Sequence, residues 1–367
     1  MASGDLSVVA AHAVGFYSAS GIYAKGTGDT INIPEGYINI GGNGHGYVID
    51  AVSNFNPLTA GNNDETFSSF SVGQNYFCYA CQQATGIAKI IFSLNSTYPD
   101  GYTADNSRKV GWFHYGRVRT INDDNVPINT SEEPYGSGWK TNVSNGIVPN
   151  AVCCLLNRPS SGNTGLAKVG KQWVYIYLAS QLVAPSVSNY KLIAGSAKSA
   201  YNATPLSGTE GLSGSNFNEL STRTDERLLT LDEWYKAAEG SPQGEDGNNT
   251  YAWAATTNTG RTATGTVAYA ISAYNIVDCV GNLWEWLATY SNRSDSTSWA
   301  WVNPEPGGEV GQLYLPYQYG IVQYIAGGDW NNGLRGGSRC VILSNSPWDV
   351  GASSGCRFAC GSQKSVI

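Results

Sequence analysis

The sequence is poor in charge. Asp, Glu, Lys and Arg make up 13% of its 367 residues, about half of the ~25% usual for globular chains. Lys and Arg number 21 against 28 acidic residues, a net charge of −7, and no basic cluster occurs along the chain. A surface that tracks phosphates needs such a cluster, so neither nucleic acid nor an anionic membrane is an expected partner. Histidine is rarer still: His12, His45 and His114 are the only three. No run approaches the ~20 apolar residues of a membrane span, so membrane insertion is not expected. The N-terminal stretch MASGDLSVVAAHAVGFYSASG is mildly apolar. It lacks a basic n-region and carries Asp5, so a signal peptide is not expected there.

Cysteine is present below scaffold density, with eight in the chain. Cys78 and Cys81 lie in YFCYACQ, a strand-like run in which this spacing sends the two thiols to opposite faces. That argues against a zinc knuckle, and the cysteines are expected to be buried free thiols. The space left by missing charge is filled with 44 Gly, 23 Tyr and small polar residues, while 41% hydrophobic content and 11 Trp argue against disorder. This palette suits β-rich extracellular or virion proteins. It also dominates antibody paratopes, where Tyr gives contact area at low entropic cost and Ser, Gly and Asn adapt. The length allows two or three domains.

Residues 1–50 read as short β segments broken by Gly and Pro. The run from Gly41 to Gly46, GGNGHG, has no helix-like stretch after it and reads as turns, not a phosphate loop. Asn75 to Asn95 reads as a hairpin with its turn near Ala84-Thr85-Gly86, and Asn122 to Asn150 as a loop-rich connection. Lys171 to Val183, KQWVYIYLASQLV, reads as strand-like and then helix-like. The clearest helix start is Thr230-Leu231-Asp232-Glu233, a capping box. The helix then carries Leu231, Trp234, Ala237 and Ala238 on one face and stops at Gly240, a C′ residue.

Three further segments come in a telling order. RLLTLDEWYKAA (Arg227 to Ala238) is followed by VGNLWEWL (Val280 to Leu287), then by GGDW…GGSRC…GCRFAC near the C-terminus. Trp284 and Trp286 sit two apart on an extended segment, so their rings share a face. Gly281-Asn282 suits a tight turn, and Gly327-Gly328 permits close backbone approach. In this order the segments resemble the C-type-lectin-like fold of the formylglycine-generating enzyme family, over roughly residues 165–367. The expected class is α+β: a β-rich N-terminal attachment or oligomerisation region at 1–105, then a C-type-lectin-like ligand-binding domain at 106–367.

The enzymes of that fold need groups this chain does not supply. A formylglycine-generating oxidase binds copper through two nearby thiolates, since soft ligands select Cu(I). Cys340 aligns with one, but Arg335 stands where its partner belongs. Related sulfoxide synthases need clustered histidines, and Ser-His-Asp or Cys-His catalysis is short of them too. No catalytic residue, metal or cofactor is expected. The oxidase remains the alternative enzymatic reading.

The close of the chain is similar to a different family on that fold, the variable proteins of diversity-generating retroelements, of the phage tropism-determinant type. Gly327, Gly328, Trp330, Gly337, Ser338, Arg339, Pro347, Ala352, Gly355 and Arg357 fall on its framework without a gap. The chain departs from the framework at Leu334, Gly336, Cys340, Val341, Leu343, Ser346, Trp348, Val350, Cys356 and Phe358. The resemblance implies that Asp329, Asn331, Asn332, Gly333, Arg335, Ile342, Ser344, Asn345, Asp349, Gly351, Ser353 and Ser354 are the diversified, ligand-binding positions. Diversification there replaces adenines in Asn-type codons, which can yield Asn, Asp, Gly, Arg, Ile or Ser, and every mapped residue belongs to that set. Trp348, Tyr314, Tyr317 and Tyr319 are candidate anchors at the edge.

The expected function is receptor binding by a phage tail-fibre adhesin located in the virion. The expected ligand is a bacterial surface protein or glycan, and a homotrimer would raise avidity. A cellular surface adhesin with the same variable surface is the other alternative.

Overall fold

The computed structural model describes residues 14–42, 45–119, 142–186, 194–242, 259–292, 300–302, 313–315 and 320–363. Strand dominates: 22 strands stand against two α-helices and two short 3₁₀ turns among the described residues. The α+β expectation therefore leans strongly to β, as the Tyr-rich composition favours.

The chain divides into two compact units, one comprising Met1–Val118, Ser144–Trp173 and Gly361–Ile367, the other Arg119–Val143 and Val174–Cys360. The first unit holds β1 (Tyr17–Ala19), β2 (Ala24–Lys25), β3 (Ile31–Ile33), β4 (Gly36–Asn39), β5 (Gly46–Ile49) and β6 (Val52–Phe55). They form two three-stranded sheets, ordered β1-β4-β5 and β2-β3-β6. Next come β7 (Gln74–Cys81), β8 (Lys89–Ser93), β9 (Ser107–Arg119) and β10 (Val143–Cys154), in a sheet ordered β10-β9-β7-β8. The β7–β8 hairpin is the one expected, with Gly86 at φ +77° in its turn. β9 begins just past residue 105, and all but its last residue belongs to this first unit.

β10 corrects the loop expected over 122–150 from residue 143 onward; residues 120–141 lie outside the described set. The strand is at the edge of its sheet, where Pro149 is tolerated because one side of the backbone needs no partner. The core beneath gathers Ile31, Ile38, Ile49, Tyr76, Cys78, Phe92, Phe113 and Cys154. Cys81 lies in a separate cluster with Phe77 and Tyr79, on the opposite side from Cys78, as the spacing required. β11 (Leu166–Val169) and β12 (Gln172–Tyr175) follow.

In the second unit, β13 (Ala179–Ser186) and β14 (Ala194–Ser199) pair as an antiparallel ribbon. The expected change from strand to helix within 171–183 is not found. β12 ends at Tyr175 and β13 begins at Ala179, because the continuous apolar run WVYIYL is buried on every side rather than along a helical stripe. Helix α1 (Gly214–Thr222) has its own capping box: Ser213 caps the Asn216 amide, and the Asn216 side chain returns to the Ser213 N–H. After β15 (Arg227–Leu228) comes α2 (Leu231–Ala238), capped by Thr230 and Glu233 as expected. It buries Trp234, Ala237 and Ala238, and Gly240 takes φ +71° beyond its end.

The central sheet of this unit joins β16 (Trp284–Asn292), β19 (Ile321–Gly327), β20 (Gly337–Asn345) and β21 (Ser354–Gly355), ordered β20-β19-β16-β21. The ribbon of β17 (Ala300–Val302) and β18 (Leu313–Leu315) lies between β16 and β19 in sequence, and β22 (Phe358–Cys360) pairs antiparallel with β15. Trp284 and Trp286 are both buried.

Candidate functional site

The segment from Gly327 to Cys360 follows one path: out of β19, through a loop at 328–336, back along β20, through a second loop at 346–353, and into β21 and β22. Its entry is set by backbone. Gly327 and Gly328 take φ +97° and +89°, and a Cβ on Gly327 would strike the Cys279 carbonyl, so only glycine fits. The Trp330 amide then donates to the Asn282 carbonyl at 3.2 Å. Asn282 is itself at φ +62° in the turn after Gly281.

The first loop is closed by its own side chains. The Asp329 amide donates to Asn332 Oδ1 at 2.6 Å and the Asn331 amide to Asp329 Oδ1 at 2.9 Å. A 3₁₀ turn over Gly333–Arg335 completes it. The second loop uses the same device: the Ser346 amide donates to Asp349 Oδ2 at 2.8 Å, and the Asp349 amide to the Ser346 carbonyl at 2.9 Å. Main-chain bonds also tie this loop down, from Ser215 N to Pro347 O, Gly208 N to Gly351 O, and Trp284 N to Ser353 O, at 2.8, 3.1 and 2.9 Å.

The mapped residues divide by exposure. Asn331, Arg335 and Asp349 are exposed; Asp329, Asn332, Ile342, Ser344, Asn345, Gly351 and Ser353 are half-buried; Gly333 and Ser354 are buried. Ser354 is only 4% exposed because β21 runs parallel to β16, with Ser354 opposite Trp284. β20 is an edge strand, and a register shift against β19 places Ile342 opposite Ile325 and Asn345 opposite Gln323, so Ile342 and Asn345 share a face across the bulge.

Of the expected anchors, Trp348 is 67% exposed. With Pro347, Ser215, Tyr290, Ser291 and Ile321 it lines an open hollow of about 420 Å³. Tyr290 and Ile321 come from β16 and β19 and were not singled out in the sequence, where their alternation reads as ordinary strand. Tyr317 and Tyr319, and the side chain of Tyr314, lie outside the described residues.

Below this segment sits a charged core. Arg357 and Glu285 are both buried, and Arg357 makes five hydrogen bonds, matching its five N–H groups. Two go to Glu285 and three to the Tyr175, Ile176 and Val277 carbonyls. Of the two arginines on the resembled framework, Arg339 is exposed and stacks over the Tyr235 ring at 4.7 Å, whereas Arg357 is buried. Burial raises the Glu285 carboxyl, and the Arg357 charge opposes that rise. Burial also pushes the Asp278 carboxyl up to about 6.

Chemistry at this segment is limited. Cys340 is half-buried and burial raises its thiol, which keeps it protonated. Arg335 stands where a second copper ligand would be. Among the described residues no group of three or more His, Cys, Asp or Glu is placed to hold a metal, and no helix is long and apolar enough to cross a membrane. His114 is buried against Asn75, at 2.8 Å from Nδ1 to Oδ1, and burial lowers it to about 3.

Residues 22–140 match the family model of the Mtd second domain. The chain is 26% identical over 309 residues to the tail fiber receptor-binding protein of Bordetella phage BPP-1, covering 80% of this chain and 73% of the relative. Among solved structures, the Major Tropism Determinant M1 variant superposes with a TM-score of 0.62 at 20% identity, covering 99% of this chain and 88% of that one. The U1 variant gives 0.61 at 19% identity, over 99% and 89%. The chain thus matches the Mtd second-domain family over residues 22–140 and shares the fold of the Major Tropism Determinant structures.

Proposed function

We propose that this chain is a non-enzymatic phage tail-fibre adhesin that binds a receptor on the bacterial surface through the segment 327–360. The observation that carries the reading is the construction of that segment. Glycine geometry and main-chain bonds fix its path, while ten of the twelve mapped residues are exposed or half-buried. Exposed positions away from special features tolerate substitution within about ±0.5 kcal/mol, whereas core changes cost ~2–5 kcal/mol. A surface of this kind can vary while its support does not. Trp348 cannot arise from an Asn-type codon by adenine replacement, so it serves as a constant aromatic contact amid changing neighbours.

Residues 1–105 serve attachment and oligomerisation in this reading, and residues 106–367 bind the ligand. Three copies would multiply weak individual contacts through avidity.

The test is genomic and then biochemical. Neighbouring DNA should hold a reverse-transcriptase gene and a near-copy of the segment encoding Gly327–Cys360, differing at adenines. Purified full chain should bind cells of the phage's host, and Asn331→Ala with Arg335→Ala should weaken that binding. Absence of the repeat, together with binding indifferent to both substitutions, would remove the proposal.

A further inference from the structure

We propose that the buried Asp278–Glu285–Arg357 cluster is a proton-linked support for the loop that carries Trp330. The inference deepens the reading of 327–360 as a contact surface, but its test needs no receptor, so the two can fail separately.

The cluster holds two carboxylates and one guanidinium, each at most 1% exposed. All five N–H groups of Arg357 are taken by Glu285 and by main-chain carbonyls. None is left for Asp278. Its carboxylate accepts the Gly265 amide at 2.6 Å and a hydrogen bond from the Asn282 side chain. It feels Arg357 only through space, against the repulsion of Glu285. The Cys279 thiol beside it is buried and pushed up to about 12 by that burial, so it stays neutral. An unpaired carboxylate in such a place takes up a proton far more readily than one in water. Glu285, bonded twice to Arg357, is the partner that stays ionised.

The line from Asp278 to the surface is short. Asn282 bonds Asp278 on one side, exchanges two hydrogen bonds with the Thr262 backbone, and offers its own carbonyl to the Trp330 amide. A proton arriving from solvent occupies one Asp278 oxygen, which then donates instead of accepting. The carboxyl can no longer serve Gly265 and Asn282 equally, so Asn282 shifts, and with it the seat of Trp330.

The sign of the linkage is fixed. The folded-state value, about 6, lies above the ordinary 3.8. The cost of burying the charge is therefore fully present above about 6 and is relieved as pH falls toward 3.8.

The experiment uses the full chain labelled with 5-fluorotryptophan, in a His12→Gln, His45→Gln, His114→Gln background that removes every imidazole, because buried His114, lowered to about 3, would take up a proton on unfolding in the same window and offset Asp278. Loss of one fluorine resonance in Trp330→Phe assigns Trp330. From about pH 7.5 to about 5, that resonance should move with a midpoint near 6 and should stay still in Asp278→Asn. Urea unfolding of the chain retaining Asp278 should show stability rising as pH falls over the same window, with about one proton released on unfolding. A Trp330 resonance that does not move, or that moves alike in Asp278→Asn, overturns the proposal. Should Asp278→Asn fail to fold, the urea series decides: stability that is flat or falling through the window overturns it.

Discussion

Arg357 faces Glu285 through two parallel hydrogen bonds, Nε to Oε2 at 2.6 Å and Nη2 to Oε1 at 2.7 Å, with neither side chain more than 1% exposed. Such a fork is the strong form of the ion pair. It is not a free gain, because both charges have left water. Its value lies in what breaking it strands.

Arg357→Met is expected to destabilise the chain by about 3–5 kcal/mol, because Glu285 is left buried without its counter-charge. Three carbonyls also lose their donor. Glu285→Gln keeps an acceptor for the guanidinium and should cost less. Urea denaturation of both variants measures the order, and an Arg357→Met variant as stable as wild type would contradict this role.

The mapped positions should fall into two classes under substitution. Asn331→Ala, Arg335→Ala and Asp349→Ser should leave the melting temperature nearly unchanged, although Asp349 also caps Ser346 and its loss should show a few tenths of a kcal/mol. Ser354→Ile should behave differently. Its site is 4% exposed, so added carbons overpack it, at ~1–3 kcal/mol. Equal tolerance at Ser354 and Asn331 by thermal melting would show that burial does not divide the set.

The thiols supply an independent check on packing. Seven of the eight free cysteines are buried and Cys340 is half-buried. Burial pushes Cys81 and Cys279 each to about 12, far from the thiolate that reagents need. A thiol-specific reagent should label Cys340 first in the native chain and the other seven only on unfolding. Mass spectrometry after brief labelling reads this directly, and fast modification of Cys78 or Cys154 would mean the first unit's core opens easily.

Acid should act on separate groups in a separate window. Partial burial raises the Glu233 carboxyl, but hydrogen bonds from Arg227 and Thr230 bring it below the ordinary 4.5; Glu210 behaves likewise through Arg261 and Ser207. A depressed carboxylate contributes stability above its unfolded value and loses it as pH falls through the folded one. Stability should therefore decline below about 4.5, and the decline should be shallower in a Glu233→Gln, Glu210→Gln variant. Both pairs are partly exposed, so the effect should also shrink with added salt.

How much of this was legible in the sequence depended on whether a local signal named its own partner. Thr230 and Glu233 did, since each caps the other, and α2 begins where they place it. Ser213 and Asn216 make the same exchange at α1, but Asn is shorter than Glu or Gln and does not stand out as the reciprocal member. WVYIYL gave only length and apolarity, which do not separate a buried strand from a buried helix. At the close of the chain, Arg339 and Arg357 both fall on the resembled framework, and the sequence does not say which has a buried structural role. Burial, which depends on β16 and on the carbonyls of Tyr175, Ile176 and Val277, gives that role to Arg357. The match to the Mtd second domain over 22–140 was not legible because the short alternating strands there carry no fixed motif.

The loop around Pro347 and Gly351 is moored by amides and carbonyls, from Ser215, Gly208 and Trp284. No codon change short of proline can delete a backbone amide. The text written on this stretch can be revised letter by letter, and the page stays bound.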